Sequence, residues 1–317
     1  MSTVVVKLGG AAITDKAAPD TLSHNIDSLI DSVAHAYHDI LRPSGRQLIL
    51  IHGAGSFGHP PAKKYQVKAG WTARLDMAGG GGGSGSGDGG GDDEQARDNV
   101  KFGMALTRQR VLQLHLDVLQ RLHARERMPI LSVSTYDTVD TDNGAVTGAS
   151  SARLVARVQQ VLAAGFVPLL FGDAVFDRTL GSTILSGDAL MYYLAERLPA
   201  VERCVFVTDV AGLFTLDPKR FPDDAVLIKT ICCSEAGSAA IDKDDETATA
   251  AAVASVDDVT GGMRSKWQWA RRIVTDAKQV RAVVICRVED SGRAIAYEGS
   301  GSRDNGEEAG EWTAIVR

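Results

Sequence analysis

Short apolar runs alternate with longer segments of helical periodicity along this chain, and each pattern predicts one kind of element. Short runs of β-branched and aliphatic residues are typical of buried strands; they occur at Thr3–Leu8, Gln47–Ile51, Pro129–Val133, Val167–Phe171, Arg203–Thr208 and Ala282–Cys286. Apolar residues three or four positions apart predict helices at Leu22–Leu41, Val100–Arg125, Ser151–Ala164, Asp188–Arg197 and Lys266–Ala277. This alternation predicts an α/β fold with a mostly parallel central sheet and helices on both faces.

A few segments depart from the alternation. The pattern around Phe176–Leu185 predicts a hairpin with Asp177–Gly181 as its turn, and Trp312–Arg317 predicts a closing strand. The segment Ala78–Asp93 contains only Gly, Ser and Asp after its first residue, so we expect a flexible surface insertion rather than a phosphate loop. Two further polar stretches are predicted to be solvent-exposed loops between core elements: Ile241–Asp258 and Glu298–Glu311.

Length and charge narrow the classes of function. A chain of 317 residues fits two lobes or one large α/β unit. Its 40 acidic and 34 basic residues give a net charge of −6, which argues against a nucleic-acid or membrane-surface partner because no basic excess is available. No apolar stretch approaches the ~20 residues that span a bilayer, so we expect a cytoplasmic protein. The cysteines have no metal-ligand spacing and predict buried, reduced thiols: Cys204, Cys232, Cys233 and Cys286.

Three glycine-rich turns are the first candidates for a binding site. Each follows a predicted strand or precedes a predicted helix. They are Gly9-Gly10, the Gly53–Gly58 segment and Gly261-Gly262. Glycine lets backbone N–H groups approach an anion closely, and a following helix N-terminus adds partial positive charge. One such turn alone is often purely structural. Because a Lys or His accompanies each of the three, together they indicate a polyphosphate site.

Known phosphate motifs of other families are absent. No Gly-x-x-x-x-Gly-Lys-Ser/Thr sequence occurs, which excludes a Walker-type ATPase, and His-Arg-Asp and Asp-Phe-Gly are missing, which excludes a protein kinase. Gly53, Gly55 and Gly58 do match the dinucleotide fingerprint. That interpretation is disfavoured because no acidic residue closes a strand ~20 residues further on.

Six motifs give the chain a family resemblance over nearly its whole length. They are KLGGAAITDK from residue 7, IHGAGSFGHPPAKKY from 51, FGDAVFD from 171, ILSGDAL from 184, FVTDVAGLF from 206 and DVTGGMRSK from 258. The chain resembles the isopentenyl phosphate kinases of the amino-acid kinase superfamily, which His59 at the end of GSFGH distinguishes from other members. The resemblance implies an amino-acid-kinase-like α/β/α sandwich with an acceptor lobe at 1–178 and an ATP lobe at 179–317. It also implies ATP-dependent phosphorylation of isopentenyl phosphate, Mg²⁺ as the counter-ion of ATP, and a homodimer.

The resemblance also implies a set of site residues. Those matching catalytic positions are Lys7, Lys16, His59, Asp188 and Lys266. Those matching acceptor-binding positions are Ala54, Gly55, His59 and Gly187. Those matching ATP-binding positions are Lys7, Gly9, Gly10, Gly55, Asp209, Gly212, Gly261, Gly262 and Lys266. Lys219 is a further candidate for contact with the ATP phosphates, and Asp173 is expected to have a supporting role only. No dedicated protein ligands for a metal are expected, since phosphates and water hold Mg²⁺ beside a nucleotide.

Each assignment has a structural alternative. An arbitrary lysine is usually a solvated charge, His59 can cap the next helix, and Asp188 can simply be a helix N-terminal acid. The helix with Phe102, Met104 and Leu106 near Tyr65 is the expected wall of a slot for the isoprenoid tail, or else ordinary core packing. For the whole protein, a kinase of the same fold for another small phosphate or phosphonate and a non-catalytic nucleotide sensor stay open.

Overall fold

The computed structural model describes residues 1–72, 90–125, 127–218, 220–233, 239–241, 261–297 and 310–317. Several predictions fall outside these ranges: Lys219, the glycine-rich insertion up to residue 89, the acidic stretch at 242–258 and the C-terminal loop at 298–309. The end of the predicted insertion, from Gly90, is described and belongs to a helix rather than a coil.

A nine-stranded sheet forms the centre of the described part of the chain, in the order β11-β10-β13-β12-β9-β1-β2-β6-β3. Its strands are β1 Thr3–Leu8, β2 Gln47–His52, β3 Ile130–Ser132, β6 Val167–Phe171, β9 Val201–Thr208, β10 Thr230–Cys233, β11 Ala239–Ile241, β12 Ala282–Arg287 and β13 Trp312–Val316. All pairs from β12 to β3 are parallel, whereas β13 runs antiparallel to β12 and β11 antiparallel to β10. The predicted mostly parallel sheet is therefore confirmed.

A second, four-stranded sheet contains the predicted hairpin. Its order is β5-β4-β7-β8, with β4 Thr141–Asp142, β5 Ala145–Val146, β7 Asp173–Asp177 and β8 Gly181–Leu185. The buried Asp177 carboxylate accepts hydrogen bonds from the Thr141 hydroxyl and from backbone N–H groups at both neighbouring turns. Burial opposes ionisation of Asp177, but these hydrogen bonds outweigh it and lower its pKa. This one carboxylate joins the two hairpins of the small sheet.

The described helices follow the predicted ones with shifted ends. They are α1 Gly10–Ile13, α2 Ile26–His35, α3 Gly55–Lys64, α4 Gly90–His123, α5 Thr135–Thr138, α6 Gly148–Ala163, α7 Gly187–Arg197, α8 Gly261–Asp276 and α9 Ser291–Ala296. The prediction that α2 starts at Leu22 is wrong, because Leu22 pairs with Thr14 in an isolated antiparallel bridge. The helix continues as a π-helical segment, Ala36–Leu41.

Alternate residues of the central strands pack into two separate cores. Val5 and Ile49 belong to the core beneath α6, α7 and α8. Their neighbours Val4 and Leu48 belong to the core beneath α2, α4 and α9. Two helical layers thus enclose the sheet, which confirms the α/β/α sandwich. The four cysteines, all within the described residues, form no disulfide, and Cys232 is half-buried rather than fully buried as predicted.

The strand order creates an opening at the carboxyl end of β1. Leu8 at the end of β1 lies level with His52 of β2 on one side and Val207 of β9 on the other. The segment after β1 packs on the face covered by α2, through Ala12 and Ile13, whereas the segment after β9 packs on the other face, through Leu213. Ligands of open α/β sheets bind where the chain leaves adjacent strands toward opposite faces. None of the helices in the described ranges combines the length and apolar character needed to cross a bilayer.

Candidate active site

Two of the glycine turns pack backbone against backbone at this opening. A β-carbon on Gly10 would lie 2.6 Å from the Gly55 Cα, and one on Gly53 would lie 2.8 Å from the Gly10 nitrogen. Gly55 also has a φ of +50°, and a β-carbon there would lie 2.2 Å from the Thr14 Oγ1. That hydroxyl accepts a hydrogen bond from the Ser56 N–H and donates one to the Gly10 carbonyl. Only glycine fits these positions, so the turns after β1 and β2 form one unit.

A cleft of about 2050 Å³ extends from this unit. Its wall includes most of the residues singled out from the sequence: Lys7, Gly10, Lys16, Ala54, Gly55, His59, Gly187, Asp188, Asp209, Gly212 and Lys266. Gly9 is not part of this wall, because its N–H is donated to the Val207 carbonyl behind it. Gly261 and Gly262 are the first residues of α8, the helix that contains Lys266.

Lys7 and Asp188 form a largely buried ion pair at the middle of the cleft. The Lys7 Nζ lies 2.5 Å from an Asp188 carboxylate oxygen. Lys7 is the penultimate residue of β1, and Asp188 is the second residue of α7, after the helix cap Ser186. Gly187 makes room for the lysine, since a β-carbon there would lie 2.9 Å from the Lys7 Cε. The position of Asp188 in the first helical turn is favourable for a carboxylate, which confirms the helix N-terminal interpretation, and its catalytic role stays a prediction.

A second ion pair joins Lys16 to Asp209 across the mouth of the cleft. The Lys16 Nζ lies 2.6 Å from an Asp209 carboxylate oxygen. Burial opposes ionisation of Asp209, but the hydrogen bond and charge of Lys16 outweigh it and lower its pKa. The lysine side chain is 61% exposed, so a pair of this kind is readily exchanged for another anion.

Lys266 approaches both ion pairs from α8. Burial lowers the pKa of Lys266, and the positive charge of Lys7 lowers it further, whereas the carboxylates of Asp188 and Asp209 raise it. The charge of Lys16 also contributes to lowering it. Three ammonium groups from three separate segments therefore lie within electrostatic reach of one another, compensated by two carboxylates. Three ammonium groups against two carboxylates leave a net positive charge, which favours an additional anion.

His59 lies on α3, close enough to Lys7 for the two to interact electrostatically. Partial burial lowers the pKa of its imidazole, and the charge of Lys7 lowers it further, although the residue stays open to solvent. The alternative role as a cap of the next helix is wrong, because His59 is in the interior of α3, which continues through Pro60 and Pro61. The imidazole is thus free to contact a ligand held near Lys7.

The expected wall of the tail slot is only partly right. Helix α4 does reach the cleft, but through Thr107 and Val111. Met104 is instead buried with Val67 and Ala174 in a small satellite core, and Phe102 is 58% exposed. A helix with apolar residues on more than one face does not reveal from sequence alone which face lines a cleft.

Two buried pairs of side chains, one at the cleft wall and one next to the glycine turn after β2, were not recognised from the sequence. Asp173 forms an ion pair with Arg108 at 2.7 Å, and the guanidinium lies 3.6 Å from the Tyr136 ring centroid. Burial raises the pKa of Asp173 to about 7, although Arg108 and the Ala174 N–H act to lower it. The other pair is His52 and His115, whose rings are hydrogen-bonded. In both cases the partners are more than 60 residues apart, so no local motif contains them.

Comparison with known proteins bears on the family of this chain. The family model of the amino acid kinase family matches residues 2–286. The chain belongs to the amino acid kinase family. Among its relatives, the isopentenyl phosphate kinase of Arabidopsis thaliana is 35% identical over 229 residues, which cover 69% of this chain and 59% of that protein. The aligned part of this amino acid kinase thus spans less than two thirds of the plant relative.

An archaeal relative and a solved structure extend the likeness. The isopentenyl phosphate kinase of Methanothermobacter thermautotrophicus is 30% identical over 228 residues, covering 71% of this amino acid kinase and 73% of that protein. A crystal structure of an isopentenyl phosphate kinase superimposes with a TM-score of 0.67 at 25% identity and covers 99% of this chain and 100% of its own.

Proposed function

We propose that this protein is an ATP-dependent kinase that phosphorylates isopentenyl phosphate to isopentenyl diphosphate. The observation that supports it best is the convergence of Lys7, Lys16, Lys266 and His59 on one cleft. Relatives of this protein that are named isopentenyl phosphate kinase, two of which are described above, indicate which acceptor it phosphorylates. A non-catalytic sensor would not need this full set of cations.

The proposed reaction joins two anions. An oxygen of the acceptor phosphate attacks the γ-phosphorus of ATP, a new P–O bond forms, and the bond to the β-phosphate oxygen breaks with ADP as the leaving group. The acceptor phosphate is already ionised, so no general base is needed. The chain's task is to hold the two groups in line and to neutralise the charge that spreads over the transferring phosphoryl group.

The positions of the cations suggest a division of this task. Lys7 interacts electrostatically with both His59 and Lys266, since its charge lowers the pKa of each. We assign Lys7 and Lys266 to the β- and γ-phosphates and Lys16 to the transferring group. Asp188 then orients Lys7, and Asp209 holds Lys16 until a nucleotide displaces it. Asp209 and Gly212, which follow β9, lie where the adenosine would bind.

The acceptor phosphate is assigned to the turn after β2. Ala54 and Gly55 are the last residue before α3 and the first residue within it, so their N–H groups are presented at a helix N-terminus, a favourable site for an anion. His59, one turn further along α3, would donate to the same phosphate. Gly187 leaves space beside it. We assign 1–178 to acceptor binding and 179–317 to ATP binding, although both halves share the central sheet.

Magnesium is expected to arrive with the nucleotide. The carboxylates nearest the ammonium groups, Asp188 and Asp209, are each paired with a lysine. This arrangement fits an ion held mainly by nucleotide phosphates and water, which would draw charge from the transferring phosphoryl group. By resemblance to the family we also expect a homodimer that acts in the cytoplasm.

One assay tests the proposal. The purified protein is incubated with radiolabelled ATP and, in parallel, with isopentenyl phosphate, dimethylallyl phosphate and a polar phosphonate. We expect label to appear in the diphosphate product, with the highest kcat/KM for isopentenyl phosphate. Preferred transfer to the phosphonate would point to a different acceptor, and no transfer to any of the three would contradict the kinase assignment.

A further inference from the structure

A hydrogen-bonded chain of side chains runs behind the turn after β2. The His52 Nδ1 lies 3.0 Å from the Gly53 carbonyl oxygen, and its Nε2 lies 2.9 Å from the His115 Nδ1. The His115 Nε2 lies 2.7 Å from the Ser132 hydroxyl. Both rings are buried and pack against Phe171, with ring centroids 5.4 and 4.4 Å away. These hydrogen bonds thus connect α4 and the edge strand β3 to the glycine turn.

The direction of every hydrogen bond in this chain follows from the atoms involved. A carbonyl oxygen can only accept, so the His52 Nδ1 bears the hydrogen. Burial, His115 and Lys7 lower the pKa of His52 to about 3, and burial lowers that of His115 to about 4. Both rings are therefore neutral at pH 7, with one N–H each. The His52 Nε2 must then accept from the His115 Nδ1, and the His115 Nε2 must accept from Ser132.

We propose that His52 and His115 are positioning residues, which fix the peptide between Gly53 and Ala54 so that its N–H is presented to the acceptor phosphate. In a planar trans peptide the C=O and the N–H point in opposite directions. Holding the Gly53 carbonyl against the His52 ring therefore turns the Ala54 N–H away from it. Ala54 itself lines the cleft. The acceptor's identity in this inference rests on the proposed function.

The two histidines act as a pair because each fixes the tautomer of the next. Without the donor on His115, His52 can shift its hydrogen to Nε2. Its Nδ1 lone pair would then face the Gly53 carbonyl oxygen, and the two would repel each other. Packing against Gly10 holds the position of this turn, but glycine itself restrains the rotation of the following peptide little, so the peptide between Gly53 and Ala54 would be fixed less firmly. The expected consequence is weaker binding of the acceptor with little change in the chemical step.

Variants of His115 test this without altering any group that contacts a ligand. His115→Leu removes the donor, whereas His115→Asn retains an N–H close to the position of the Nδ1. We expect His115→Leu to raise the KM for isopentenyl phosphate about tenfold, the cost of one buried hydrogen bond left unmade. The KM for ATP and kcat should stay within about threefold, and His115→Asn should recover most of the loss.

His123→Leu is the matched control. His123 is on the same helix and hydrogen-bonds to the backbone carbonyl of Ile130, the first residue of β3, but it takes no part in the hydrogen bonds of His52 and His115. We expect its acceptor KM to equal that of the wild type. Equal acceptor KM values for wild type, His115→Leu and His115→Asn would overturn the inference, as would a loss in His115→Leu that is the same for ATP and acceptor.

Histidine tautomers give a readout that does not depend on activity. In protein labelled with ¹⁵N-histidine, we expect at pH 7 a protonated Nδ1 and an unprotonated Nε2 for both His52 and His115, assigned by loss of signals in the variants. A protonated Nε2 on either ring would overturn the inference. Failure of the proposed function would appear in the acceptor panel of the wild type, where these tautomers are unaffected.

Discussion

The two sides of the cleft hold charge in different ways. On the side formed by β9 and α8, cationic and anionic side chains face each other, and Lys16 and Asp209 are partly exposed. On the side formed by β2 and α3, the wall behind the glycine turn is neutral, since His52 and His115 are buried without charge. Side chains supply the charge on the first side, and a fixed backbone supplies N–H donors on the second. Substitutions on the two sides should therefore change different kinetic constants.

The largest effect is expected for Lys7, whose charge acts on both Lys266 and His59. Lys7→Met removes the central cation but keeps the length of the side chain, and we expect kcat to fall about 10³-fold, as for loss of a preorganised charge in a transition state. The measurement is steady-state kinetics at saturating substrates. Lys101→Met is the control, because Lys101 pairs with Asp98 on the exposed surface of α4. A fall in kcat below about threefold for Lys7→Met would contradict a central role.

A smaller effect is expected from the glycine turn. Gly55→Ala places a β-carbon 2.2 Å from the Thr14 Oγ1 at a φ of +50°. Gly45→Ala is a matched control, because Gly45 has a φ of +69° and no atom within 4 Å of the added carbon. We expect Gly45→Ala to lower the free energy of unfolding by about 1 kcal/mol through backbone strain alone.

Gly55→Ala should lower it further, because Thr14 must also move, and should raise the KM for isopentenyl phosphate more than that for ATP. Denaturant unfolding and steady-state kinetics measure the two effects. If the two alanine variants lost equal stability and kept wild-type KM values, the packing of the two turns would have no role in binding.

The smallest expected effect is a pH dependence of acceptor binding. Burial and Lys7 lower the pKa of His59, so its imidazole is mostly neutral in the free protein at pH 7. A bound phosphate would favour the protonated form, so binding would take up a proton and weaken as the pH rises. We expect the acceptor KM of the wild type to rise a few-fold from pH 6 to pH 8, relative to His59→Gln.

Ionisation of the substrate affects the wild type and His59→Gln equally. The ratio of their KM values therefore reports only the protonation of the His59 imidazole. A ratio that stays constant across this pH range would show that His59 does not change its protonation on binding.

Much of the fold and part of the site could be predicted from sequence, for a physical reason. Buried parallel strands require continuous apolar runs, so β1 and β6 were located to the residue, and glycines at close backbone contacts stand out as motifs. The partners of His52 and Asp173 could not be predicted, because His115 and Arg108 lie on a helix whose periodicity does not show which face meets the sheet. Contacts across more than 60 residues depend on packing between layers.

The most direct test of the account is His59→Ala, measured for both ligands. If ammonium groups and an imidazole converge so that two anions lie end to end, this variant should bind ATP with the wild-type affinity in calorimetry. Its kcat/KM for isopentenyl phosphate should fall at least about 100-fold. An unchanged kcat/KM would remove the acceptor site from this position, and a parallel loss of ATP affinity would show that the two sites are not separate.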